Sequence, residues 1–126
     1  MTDYILDLLA DRGICASSRQ EQERLEEGIA AYLLENGIRE DASGAYYEKY
    51  VREQLASVAP GDLKAYLENY GLIRDAVQIA VEFRCDGSLP EERKRTLYRL
   101  LEDLHACGLG ERYVPAAELR QALGIL

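Results

Sequence analysis

"LIRDAVQIAVEFRC", residues 72–85, decides the fold class. Val77, Ile79, Val81 and Phe83 alternate with period two, as the half-buried strand of a sheet would. The same stretch places Ile73, Ala76, Val77, Ala80 and Val81 at the three- and four-residue steps of a helix face. A strand needs a partner, and no second convincing alternating run occurs in the chain. Residues 77–83 are therefore read as helix, with strand as the alternative.

On both sides of this stretch the apolar spacing is helical. Ile5, Leu8 and Leu9 set a first helix with Thr2 as its N-cap. Leu25, Ile29, Tyr32 and Leu33 set a second, opened by Ser18 and Glu21 as a capping box. Tyr47, Val51, Gln54, Leu55 and Val58 line a third, which Pro60-Gly61 breaks. Asp62 can cap a fourth, whose face is Leu63, Tyr66, Leu67 and Tyr70. Downstream, Ser88 is read as a cap, Pro90 as a first-turn residue, and Glu91 and Glu92 as complements to the helix dipole. Leu97, Leu100, Leu101 and Leu104 are the buried stripe of that helix, and a short last one follows Pro115 with Leu119, Leu123 and Leu126. The expected fold is all-α: a compact, orthogonal bundle of six or seven short helices forming a single domain over residues 1–126.

Five helix ends share a glycine followed at once by Ile or Leu: "RGI" at 12–14, "NGI" at 36–38, "YGL" at 70–72, "CGL" at 107–109 and "LGI" at 123–125. This is the signature of a Schellman stop, in which glycine turns left-handed and the next apolar residue folds back onto the last turn. It also explains why "YLLENGIREDA" (32–42) and "YLENYGLIRDA" (66–76) look alike at an offset of 34 residues. The aromatic and small-residue pattern of a tetratricopeptide array is missing and no third copy appears near residue 100, so the likeness is read as a shared stop signal.

Charge bounds the function. The chain of 126 residues has a formal net charge of -8, which argues against non-specific affinity for nucleic acid or an anionic membrane. Ten acidic and four basic side chains fall in residues 1–42, so the acidity is concentrated at the N-terminal end. Three cysteines without C-x-x-C spacing read as buried or semi-buried thiols of a reducing compartment. The acidic N-terminus does not resemble a signal peptide, and no run reaches the roughly 18 apolar residues that span a bilayer. The expected location is cytoplasmic, without membrane association.

No chemistry-bearing motif emerges. G-x-G-x-x-G, P-loop and G-x-S-x-G patterns are missing, and His105 is the sole histidine. Glu102 and His105 supply half of a di-iron motif, which needs a second such pair. His105 reads as a partly buried residue near a helix C-terminus. It cannot pair with Cys107, because two residues on a helix point about 200° apart. The chain is expected to be neither an enzyme nor a holder of a metal or cofactor.

Nine tyrosines against one Phe and no Trp are the most unusual feature of the composition. In "AYYEKYVREQLAS" (45–57), Tyr47 joins the buried stripe, while Tyr46 and Tyr50 project to its flank in line with Glu53. The leading expectation is a non-catalytic protein-interaction module: an adaptor, inhibitor or regulator. It uses the acidic N-terminal surface and the flank of Tyr46, Tyr50 and Glu53, and its partner is another protein or a second copy of itself. The alternative is a small transcriptional or nucleic-acid regulator that uses Arg93, Lys94, Arg95 and Arg99 on the next-to-last helix. An Arg99–Asp103 pair would neutralise part of that cluster.

Overall fold

Residues 72–85 are helical. The computed structural model describes residues 1–124, and among these the chain is all-α. Its helices are α1 (Thr2–Asp11), α2 (Arg19–Glu35), α3 (Ala45–Ala56), α4 (Leu63–Glu68), α5 (Tyr70–Asp86), α6 (Glu91–Ala106) and α7 (Ala116–Leu123), with one 3-10 turn at Pro60–Asp62. No helix among the described residues is long and apolar enough to cross a membrane. The buried face of α5 is rotated from the expected one. Ile73, Ala76, Ile79 and Ala80 are buried, whereas Val77 and Val81 are 36% and 43% exposed. Around the helix Val77 and Val81 fall between Arg74 and Arg84, which draws them to the solvent edge, and Ile79, opposite the polar side chains, takes the core position.

The contacts gather into two compact units, Met1–Tyr70 and Gly71–Leu126. In the first, α1 and α4 both pack on α2. Leu25, Ile29, Tyr32 and Leu33 are buried there as expected, with Val51, Leu55, Leu63 and Leu67. The closest approach lies at Gly28, where an added Cβ would overlap the Leu67 carbonyl oxygen and stand 2.7 Å from its carbon. The missing side chain lets the α2 and α4 backbones touch, a role that the apolar spacing does not reveal. In the second unit α7 packs on α6, whose Leu97, Leu100, Leu101 and Leu104 are all buried. Arg93 of α6 holds Glu82 of α5 through two hydrogen bonds of 3.0 and 2.9 Å, and Arg84 holds Glu118 of α7 at 3.1 and 2.9 Å.

The stop signals divide. At Gly13, Gly37 and Gly108 the backbone is left-handed, and Ile14, Ile38 and Leu109 each donate back to the carbonyl five residues earlier, closing the Schellman pattern. The "YGL" stop is a correction: Gly71 lies inside α5, and the break falls at Asn69. The resemblance between residues 32–42 and 66–76 therefore joins a helix end to a helix start. Gly87, left-handed at φ 75°, is the stop after α5 and escapes the pattern because Ser88 follows it. Gly124 is also left-handed, while the Ile125 and Leu126 of the expected stop and stripe lie outside the described residues.

The caps shift as well. Met1, not Thr2, precedes α1. Ser18 accepts from the Glu21 amide at 3.1 Å, but the Glu21 carboxylate turns to Ser17 and Lys64, so only half of the capping box forms. Pro90 replaces Ser88 as the residue before α6, since its fixed φ already suits a helix entry.

Candidate functional site

The tyrosine flank is built on the end of α2. Tyr32, at a buried position of α2, donates from its hydroxyl to Gln54 Oε1 at 2.7 Å. Gln54 Nε2 donates to the Tyr50 hydroxyl at 2.9 Å, Tyr50 donates to Asn36 Oδ1 at 3.2 Å, and Asn36 Nδ2 returns to the Tyr32 carbonyl at 2.8 Å. The ring of bonds fixes α3 against the last turn of α2 and holds each polar group in partnership. Tyr32 is also edge-on to Tyr70 at 5.4 Å, and burial together with its neighbouring phenols pushes its pKa up, so it stays a neutral donor.

Tyr50 thus serves as a partly buried structural residue. Tyr46 does not: it is 77% exposed and meets Tyr47 edge-to-face at 5.3 Å. Tyr46, Tyr47 and Tyr50 wall a cleft of about 300 Å³ whose other side is Asn36, Gly37 and Ile38. Glu53 is exposed, 3.9 Å from Lys49. Asn36 and Gln54 are the positioning residues; spacing placed Gln54 on the face of α3, but did not single out Asn36. Their signal in the sequence is a polar side chain one helical turn after a tyrosine, Asn36 after Tyr32 and Gln54 after Tyr50.

The basic helix is less uniform than its sequence. Arg93 is committed to Glu82, which raises its pKa further. Lys94, 4.0 Å from Glu91, lines a groove of about 470 Å³ with Arg95, Tyr98 and Arg99. Arg95 and Arg99 are exposed, and the expected Arg99–Asp103 pair is not formed among the described residues. Tyr98 between them is 55% exposed.

Two further expectations are corrected. Cys15 and Cys85 are exposed and only Cys107 is half-buried, its thiol donating to the Leu104 carbonyl at 3.3 Å. His105 is exposed on the last turn of α6, because the leucine stripe turns the other side of that helix inward. Among the described residues, no group of three or more His, Cys, Asp or Glu side chains could hold a metal ion. No protein-family profile, curated protein or solved structure matches the chain.

Proposed function

We propose that the protein is a non-catalytic, cytoplasmic interaction module, an adaptor, inhibitor or regulator, that engages another protein through the Tyr46 flank and the acidic N-terminal surface. The observation carrying this reading is Tyr46: a large ring, 77% exposed, braced against Tyr47 at the rim of a preformed cleft. A tyrosine held in this way loses little side-chain entropy on binding and offers apolar area with a polar end. Glu53 and the acidic side chains of residues 1–42 favour a basic or apolar partner. The test is affinity capture from the native host with and without nuclease, beside Tyr46→Ala. A protein retained after nuclease and lost with Tyr46→Ala supports the reading; capture unaffected by Tyr46→Ala refutes its use of this flank.

One observation favours a second reading. Arg95 and Arg99 are exposed without a carboxylate partner among the described residues, beside exposed Tyr98, as a nucleic-acid regulator would require. Binding that weakens steeply with salt and fails in Arg95→Ala/Arg99→Ala supports it, and no binding at low salt ends it.

A further inference from the structure

The outward faces of α2 and α6 carry the same spacing of charge with the signs exchanged. On α6, opposite the buried leucines, Glu91, Arg95 and Arg99 stand one turn apart and read minus, plus, plus. On α2, opposite Leu25, Ile29 and Tyr32, the residues at the same four-residue steps are Arg19, Glu23 and Glu27, reading plus, minus, minus. All six are exposed. Arg95, Arg99 and Glu27 form no ion pair among the described residues, while Glu23 meets Arg19 at 3.5 Å and Glu91 meets Lys94 at 4.0 Å, both in solvent. Such solvated pairs are weak and readily exchanged. Beyond its charges the α2 stripe continues through Ala30 to Leu34, which is 77% exposed; at the corresponding end of α6 stands Ala106, with Tyr98 on the flank.

We propose that the α6 stripe docks the α2 stripe of a second copy of this chain, with the two helices side by side in the same direction. Arg19, Glu23 and Glu27 then face Glu91, Arg95 and Arg99 place for place, with successive pairs about 6 Å apart along the axes. Leu34 reaches the level of Ala106, so apolar contact follows the charged layers. Self-pairing of either helix in antiparallel register is less favourable: it matches Glu91 with Arg99, or Arg19 with Glu27, but sets Arg95 against Arg95, or Glu23 against Glu23, at its centre. A nucleic-acid strand fits less well, because Glu91 and Glu102 bound the Arg95–Arg99 window at both ends and a phosphate backbone needs continuous positive charge. The pairing rests on the interaction reading only for its use of the acidic N-terminal surface, and Tyr46 takes no part in it.

Charge inversion on the full chain tests the pairing. Sedimentation velocity of the wild type shows average mass rising from micromolar to millimolar concentration, and less so in high salt. Glu23→Arg/Glu27→Arg and Arg95→Glu/Arg99→Glu each weaken self-association about tenfold or more, because each leaves two faces of like sign. All four positions are solvent-exposed, and helical circular dichroism verifies that both variants fold. Mixed in equal amounts, the two variants regain association, since the wild-type α2 of one meets the wild-type α6 of the other. A wild type that remains monomeric, a variant that associates as the wild type does, or a mixture that stays monomeric overturns the pairing. Tyr46→Ala leaves association unchanged; loss of association in that variant would place the contact on the tyrosine flank and overturn the α2–α6 arrangement.

Discussion

At the scale of single residues, Gly28 and Glu21 each hold α2 to α4, the first by backbone contact and the second through Lys64. A methyl group at Gly28 meets backbone rather than a flexible side chain, so α2 and α4 must separate. Gly28→Ala is expected to cost about 1–3 kcal/mol or more, against a slight gain from better helix propensity, and urea denaturation reads the difference. Glu21 is held by Lys64 at 2.5 Å and by Ser17, which lowers its carboxyl from the ordinary 4.5 to about 2, the Lys64 hydrogen bond being the largest cause. A depressed carboxyl pKa adds stability that is fully present above about pH 4.5 and is lost as the pH falls through about 2. Melting temperature should decline across that window in the wild type. It should decline less in Lys64→Met; an unchanged slope would show that the pair contributes nothing to acid unfolding.

At the scale of elements, two glycines that look equivalent in sequence should answer oppositely to substitution. Gly37 sits at φ 68° and closes α2, so Gly37→Ala forces a side chain into the left-handed region at a cost of about 1–2 kcal/mol. Gly71 is helical with only the Arg74 guanidinium nearby, at 3.9 Å, so Gly71→Ala should stabilise by about 0.4–1 kcal/mol. Equal effects in thermal melts would contradict the assignment of one as a stop and the other as an interior position. The contrast shows how far the sequence could be read. Helix faces such as Leu97–Leu104 and Leu25–Leu33 were legible because burial leaves a period of 3.6. The function of Gly71 was not legible, because whether a glycine ends a helix depends on where the preceding turn breaks, and here Asn69 breaks it first. The rotated face of α5 was hidden because Val77 and Val81 continue the apolar spacing, although around the helix they fall between Arg74 and Arg84 at the solvent edge.

For the whole molecule, the distribution of charge and exposed aromatic surface frames the functional reading. Residues 1–70 carry fourteen acidic against seven basic side chains, and residues 71–126 carry nine against eight. The unit with the excess acid is also the one that holds Tyr46 out from the Tyr32–Gln54–Tyr50–Asn36 ring. Tyr46 and Tyr50 both stood out in the sequence by position on a helix flank, yet only the hydrogen bonds separate their roles. Spacing cannot report that Tyr50 has partners on two helices and Tyr46 a ring neighbour alone. Replacing Tyr46 by a photo-crosslinking phenylalanine analogue, in the native host, tests the interaction reading most directly. A discrete protein adduct that resists nuclease, and that is not formed when the same group is placed at exposed Glu92, is the predicted result. Crosslinking at position 46 that yields no adduct, or only nuclease-sensitive ones, would contradict the tyrosine flank as a protein-binding surface.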